Sequence, residues 1–567
     1  MAELALGVVG LVGLIDVCHH WGTELVAACH ALSKADTHLY ESVVRVEACW
    51  LRTQSQIELV RHLDPLLDDW HRHVQQQTLE VLLAKLRAAN TKLWSLLKPS
   101  QASLDHSSEQ IGTAKAKRFK YVFVRDSLAE AIADLETWRT VFDPTWYLMM
   151  KMASPEVDHQ LEVEANQSTI SSLGNYGSKP PGATARYIRR AIHTTDDEAA
   201  RSTVLLPADG LLHNSIKSIP LSPAKLARRA DNGDIVILDT VTCTSKPHAT
   251  AVKRDVRNFA LRLKHADPFG FGLLQCKGIL QEEDHKTATG DLSFVFRLPT
   301  THTQVQSLRQ RLMSGPAGQH DSLSGRLDLA RQLVNAISYV HLYDFVHKNI
   351  RPETILIIGQ KTPNMLGTAS KSGAPINEGG QDGAPGNETA VLVGFDVLRD
   401  VDGKTLRLGD DDWERNLYRH PRRQGDTPSV DYEIRHDIYS LGVCLLEIGL
   451  WDSFVVYDKP GAGQEAEENA KGPWLGSGLG TNFAEMSGAE LLKAPETVKN
   501  HLISLARGRL RRKVGTKYSK VVETCLTCLD SGNVDFGDET EFRDELGIAV
   551  GVRYIEKVVG KLAEIVV

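Results

Sequence analysis

The feature that most restricts the fold is where helix breakers are missing. Residues 1–150 hold three prolines (Pro65, Pro99, Pro144) and five glycines, three of these before residue 14. The same stretch holds six of the nine tryptophans, so it combines helix compatibility with a large apolar payload. Leu39, Val43, Val46, Trp50, Ile57 and Val60 step by three, four or seven, which places them on one helix face. Leu79, Leu82, Leu83, Leu86, Leu93 and Leu97 form a second stripe, closed by Pro99. Leu128, Ile132, Leu135, Trp138 and Phe142 form a third, before Asp143-Pro144. With the N-terminal segment, at least four amphipathic helices are predicted, and burying their apolar faces requires a bundle.

The texture then changes. Residues 155–205 carry polar, Gly- and Pro-containing runs without a period and read as linker, with a short helix near Tyr187–His193. Beyond 215 the pattern is mixed. Ile235–Leu238 reads as a strand, and 273–280 with 292–298 as a hairpin with a polar loop. A helix is expected from about Ser324 to Tyr343, and the last 130 residues read as mostly helical. Residues 359–390, rich in Gly, Asn, Pro and Ser, read as a disordered insertion. Composition excludes other classes. With 65 basic against 72 acidic residues, no global basic surface exists for nucleic acid. Eight cysteines are too few for a disulfide scaffold, and no run of 18 apolar residues spans a bilayer. The opening MAELALGVVGLVGLIDVCHH lacks a basic n-region, so no secretory signal is expected and a cytoplasmic location is the default.

The chemically informative stretch is His347-Lys348-Asn349-Ile350-Arg351-Pro352-Glu353-Thr354, after a long helix and before an apolar run. Its spacing matches the kinase catalytic loop H-R-D-L-x-x-x-N. Gly394-Phe395-Asp396 stands in the place of D-F-G, and Tyr418-Arg419-His420-Pro421-Arg422 in the place of A-P-E. His436-Asp437 then opens a helix whose Asp would support the loop backbone. In this order the four segments resemble the protein-kinase fold, so residues 215–567 are expected to be a bilobal α+β kinase-like domain.

The resemblance assigns the loop Asp to the base role and the loop Asn and D-F-G Asp to magnesium. Here Asn349 replaces the base, and a carboxamide takes up no proton at neutral pH. Thr354 and Gly394 replace the metal ligands, and Arg422 replaces the A-P-E Glu. Aligning 236–239 with V-A-I-K puts Asp239 where the phosphate-binding Lys belongs, and no glycine-rich loop precedes it. No functional catalytic residue and no cofactor are therefore expected. An alternative reading keeps an unconventional protein kinase, with Arg351 against phosphate and Asp396 holding magnesium with ATP. A second alternative is a non-catalytic signalling scaffold.

The opening Ala5-Leu-Gly7-Val-Val-Gly10-Leu-Val-Gly13-Leu-Ile-Asp16, with Cys18 and the helices that follow, resembles the HeLo domain of fungal cell-death and heterokaryon-incompatibility proteins, over about 1–200. The combined layout is similar to the mixed-lineage kinase domain-like protein, a helical-bundle killer restrained by a pseudokinase. The resemblance implies self-association, an upstream signalling protein and conditional recruitment to the plasma membrane through Leu6, Val9, Leu11 and Leu14. As a helix, Ala5–Ile15 would span about 16 Å, short of a bilayer core of about 30 Å, so the resting segment is expected to be buried. Lys115–Lys120 is a basic cluster that could meet lipid headgroups, though a solvated face is the simpler reading. Cys525-x-x-Cys528 reads as core thiols rather than a metal site, and His19, His20, His71 and His73 as packed or surface histidines.

Overall fold

The computed structural model describes residues 10–33, 40–67 and 69–97, scattered positions from 127 to 142, Arg189, and 204–565 with gaps at 243–245, 265, 282–289, 301, 315–321, 361–387, 401–408, 458–472, 481–482, 484–485 and 538–547. The chain divides into two compact units, Met1–Arg190 and Ala191–Val567. The first is helical, and the second combines sheets with helices.

In the first unit, α1 (Leu11–Ser33) packs along both α2 (Tyr40–Leu63) and α3 (Asp69–Leu97). The predicted helix is therefore longer than the uncharged run and carries Asp16 and Glu24. Leu11, Leu14, Ile15, Cys18 and Leu25 are buried at helical spacing. The turn Asp64–Leu66, with Pro65 in it, separates α2 from α3. Glycine in a helix interior costs about 1 kcal/mol relative to alanine, yet Gly22 is required, because the Trp50 ring occupies the space of any β-carbon there. The third stripe is also interior: Leu128, Ile132, Leu135, Trp138 and Phe142 are all buried. Trp138 Nε1 donates to Thr78 O at 2.9 Å, and Lys85 pairs with Asp134 at 2.7 Å. Among the described residues no helix is long and apolar enough to cross a membrane.

The second unit opens with a five-stranded antiparallel sheet in the order β1-β2-β3-β5-β4: β1 (Leu211–Ser218), β2 (Lys225–Arg229), β3 (Ile235–Val241), β4 (Cys276–Gln281) and β5 (Leu292–Arg297). The hairpin expected from 273–298 is the β4–β5 pair, with Ile279 opposite Phe294. Leu211, Ala227, Val236, Leu238, Leu280 and Val295 form one apolar cluster. Ile237, Phe294 and Phe296, at alternate positions, are also buried. Phe294 meets Phe259 of α4 (Lys246–Leu263), which packs on β4 and β5. A second sheet pairs β6 (His302–Ser307), β8 (Ile355–Gln360) and β9 (Thr389–Leu392), with β8 central. Between β6 and β8 lie α5 (Leu308–Met313), α6 (Leu323–Leu342) and the two-residue strand β7 (Phe345–Val346). Ser322 caps α6 by accepting from Gly325 N. β7 pairs with β10 (Arg399–Asp400).

The apolar helix α7 (Ile434–Leu450) is buried along its whole length. It packs against α6 and against α9 (Thr516–Leu526), which follows α8 (Pro495–Leu505). Gly442 and Gly449 permit the close approach of α9, since a β-carbon at 442 would lie 2.8 Å from Cys525 Cβ. Cys525 and Cys528 are core thiols, with Cys528 Sγ donating to Arg435 O at 3.2 Å.

Candidate functional site

The loop between β7 and β8 is held from α7. Asp437, on the first turn of α7, accepts His347 N–H at 2.8 Å on Oδ2 and Lys348 N–H at 2.9 Å on Oδ1. Tyr432 donates to Oδ1 at 2.7 Å, and His341 Nε2 lies 3.1 Å from Oδ2. Burial pushes the Asp437 carboxyl up, but His341, His347 and Tyr432 outweigh it and hold it below its ordinary value. These bonds fix Lys348 at φ +68°, a left-handed conformation that a side chain rarely adopts. Asp437 thus stands where the sequence places the loop's support.

His347 is fully buried. Its Nδ1 accepts Asn349 N–H at 3.2 Å and its Nε2 faces Val393 O at 3.0 Å, an arrangement that assigns the neutral Nε2–H tautomer. Burial lowers its pKa, against the pull of Asp437 and Asp396. The ring packs 4.8 Å from Phe395, which also meets Phe259 of α4 at 4.8 Å and Phe294 and Phe296 of β5 at 6.0 and 6.1 Å. A continuous aromatic column therefore joins helix, sheet and loop.

Around this column the chemically altered positions are bonded to one another. Asn349 Nδ2 donates to Asp396 Oδ1 at 2.8 Å and to Gly394 O at 3.4 Å, and Asn349 Oδ1 accepts from Arg351 Nε at 3.0 Å. Arg351 also lies 3.6 Å from the Glu353 carboxylate. The Thr354 hydroxyl contacts Asn349 O at 2.7 Å and Arg351 O at 2.9 Å. Gly394 sits at φ +82°, and a β-carbon there would strike the Thr354 side chain, its Cβ 2.8 Å away. Asp239 Oδ2 accepts the Gly394 and Phe395 amides at 2.8 and 3.0 Å. Burial pushes the Asp239 carboxyl up to about 7; the nearby Asp396 charge adds to this, and the two amides oppose it. Arg351 and Asp396, the residues expected to meet a cofactor, are thus both bonded through Asn349.

The loop exit is anchored by residues that sequence reading missed. Fully buried Arg309, on α5, donates to Glu353 Oε1 and to Glu447 Oε1, each at 2.8 Å, and bonds Tyr418. Tyr418 donates to Glu447 Oε2 at 2.7 Å, and Phe454 N–H to Glu447 Oε1 at 2.7 Å. A signal was available: Glu447 is a lone carboxylate in the apolar run LGVCLLEIGL, and a buried charge needs a partner.

The arrangement can hold a rigid loop and bonds Asn349, Arg351, Thr354 and Asp239 within it, leaving Glu353 Oε2 without a hydrogen bond among the described residues. It offers no general base at 349 and no side-chain ligand at 394. Among the described residues no group of three or more His, Cys, Asp or Glu is placed to hold a metal ion. In the first unit, Leu11 and Leu14 are buried on α1, whereas Leu6, Val9 and the cluster at 115–120 lie outside the described residues, as do most of the expected linker and insertion. His19 pairs with Glu58 at 3.0 Å, which accounts for it without a metal. No protein-family model matches the chain. No curated protein matches it either.

Proposed function

We propose that residues 215–567 form a protein-kinase-like domain that transfers no phosphoryl group and acts as a regulatory module. In the same reading, the N-terminal helical unit is a HeLo-type effector, a fungal cell-death or incompatibility protein recruited to the plasma membrane when the second domain releases it. The observation that carries the catalytic half is the closure of the site on itself: Asn349 bonds Asp396 and Arg351, and Asp239 occupies the amides of Gly394 and Phe395. Phosphoryl transfer is mostly positioning plus charge stabilisation by metal and cation, and here the cation of Arg351 and the carboxylate of Asp396 are both engaged by Asn349. The effector half is supported by the sequence resemblance and by the burial of Leu11 and Leu14 within the helical unit, which is what a resting state requires.

The test uses the purified full chain with magnesium and ATP. No phosphate should appear on the protein or on generic protein substrates, and Asn349→Asp should not restore transfer. Robust autophosphorylation abolished by Arg351→Ala or Asp396→Ala would establish the unconventional kinase instead. For the effector half, expression should be toxic on activation and Leu11→Glu should suppress toxicity; an inert chain under all conditions favours the scaffold.

A further inference from the structure

One surface of the second unit concentrates charge in a way the site does not use. Between Glu496 and Glu523 the chain has no acidic residue. Within that interval Arg507, Arg509, Arg511, Arg512, Lys513, Lys517 and Lys520 fall in fourteen consecutive positions. They follow α8 around a helical corner broken at Gly515 (φ +90°), where α9 begins. All but Arg509 are exposed, while the apolar residues of the corner, Leu510, Tyr518, Val521 and Val522, point inward. Only two of the seven are neutralised by a described carboxylate: Arg507 by Glu523 at 2.8 Å and Arg509 by Asp452 at 2.8 Å. Arg511 reaches the Thr516 hydroxyl and Lys513 the Leu450 carbonyl, neither of which carries charge. Partial burial and the like charges of Arg326 and Arg509 hold Lys513 below its ordinary pKa. In a chain with an acidic excess of seven, five cations with no ion-pair partner among the described residues are a local departure, with Asp452 acting on Lys513 from a distance and Asp530 and Asp535 sharing a surface hollow with Lys520.

We infer that the corner formed by residues 507–520 is a docking surface for anionic lipid headgroups. Two observations choose this partner. Single-stranded nucleic acid is gripped by bases stacked on aromatic rings, and the only ring here, Tyr518, is buried with its hydroxyl on Leu445 O at 2.8 Å. Reading a duplex requires an element that enters a groove with base-reading side chains; here the cations are distributed around a corner between two helices, on both sides of Gly515. A planar array of phosphates meets such a corner without any groove, and clusters of four to eight Lys or Arg are the usual electrostatic footprint of that contact. The inference does not depend on the proposed role of the helical unit, which concerns a different segment and a different readout.

The test is co-sedimentation of the full chain with vesicles of phosphatidylcholine alone or with 30% phosphatidylserine. Binding is expected only to the anionic vesicles at ~0.1 M salt and should be lost at ~0.5 M. The combined substitution Arg511→Gln, Arg512→Gln, Lys517→Gln, Lys520→Gln should lower the partition coefficient about a hundredfold or more. Lys517→Arg with Lys520→Arg should leave it unchanged, which separates charge from fold. Equal binding by the four-site variant, or binding to neutral vesicles, overturns the assignment. So does a preference for a 30-base-pair duplex over anionic vesicles at ~0.15 M salt. Toxicity on expression, by contrast, reports on the helical unit, so failure of that reading leaves the sedimentation result standing.

Discussion

The interior of the helical unit and the loop site of the second unit treat buried polar groups in opposite ways. On α3, Gln75 is fully buried and neither amide atom has a hydrogen-bond partner among the described residues; Asn90 donates to Trp21 O at 2.8 Å, and its Oδ1 has no partner among them. At the loop, Asn349, Arg351, Thr354 and Asp239 are each bonded to another part of the site. A partnerless buried amide raises the energy of the packed state, while a network bonded at several points must be broken at several points to move. The amides of α3 therefore weaken their own packing, whereas the loop site resists displacement.

Four substitutions would break or sharpen that contrast. The largest effect is expected from Asp437→Ala, which strands two backbone amides, His341 and Tyr432 at once. A loss of about 3–5 kcal/mol, measured by denaturant unfolding, should be accompanied by faster hydrogen exchange at 347–349. A loss under 1 kcal/mol would mean that the loop is not held from α7. Next is Gly394→Asp, which restores a carboxylate at a left-handed position against Thr354; we expect a cost of about 2–4 kcal/mol and no gain of magnesium binding by calorimetry.

Asp239→Asn should act in the other direction, with a pH signature. The folded carboxyl titrates near 7 and the unfolded one near 3.8, so the folded state loses stability as pH rises between these values. The amide variant escapes that loss. It should be more stable than the parent by about 2 kcal/mol at pH 8, with the gain fading as pH falls through 7 toward 4. A pH-independent difference would mean that the charge is not what matters at 239. The smallest effect is expected from Gln75→Leu, which exchanges an unsatisfied amide for an apolar side chain of similar size. A gain of about 1 kcal/mol in the thermal unfolding of the helical unit is expected, and a loss would show that a partner for Gln75 exists.

Much of this was legible in the sequence wherever a property belongs to a single element. The buried faces follow the stripes, because helical periodicity and burial are the same fact seen twice: Val43, Val46, Trp50, Ile57 and Val60 of the first, Leu79, Leu82, Leu86 and Leu93 of the second and all five residues of the third are buried, while Leu83 is half-buried and the side chains of Leu39 and Leu97 lie outside the described residues. The role of Asp437 was implied by the motif resemblance, and the structure gives it partners in the loop. What could not be read were the contacts between distant elements on which no motif bears. Asp239 is separated from Gly394 by 155 positions, and only tertiary packing brings its carboxylate to those amides. The closure at Gly394 depends on Thr354, whose composition reads as a weak ligand rather than an obstruction. The basic run at 507–520 is the opposite case: it holds more cations than the cluster at 115–120, seven against four, and is visible in the bare sequence, but only the exposure of its side chains gives it meaning.

The aromatic column has a mechanical consequence. One phenyl ring, that of Phe395, packs against α4, the central sheet and His347 together. A push on α4 would therefore load His347 and the turn at 394 first through this single ring. Residue 395 is the place where the packed interior leans on the bonded loop, so the stiffness of that loop sets how far α4 can be displaced.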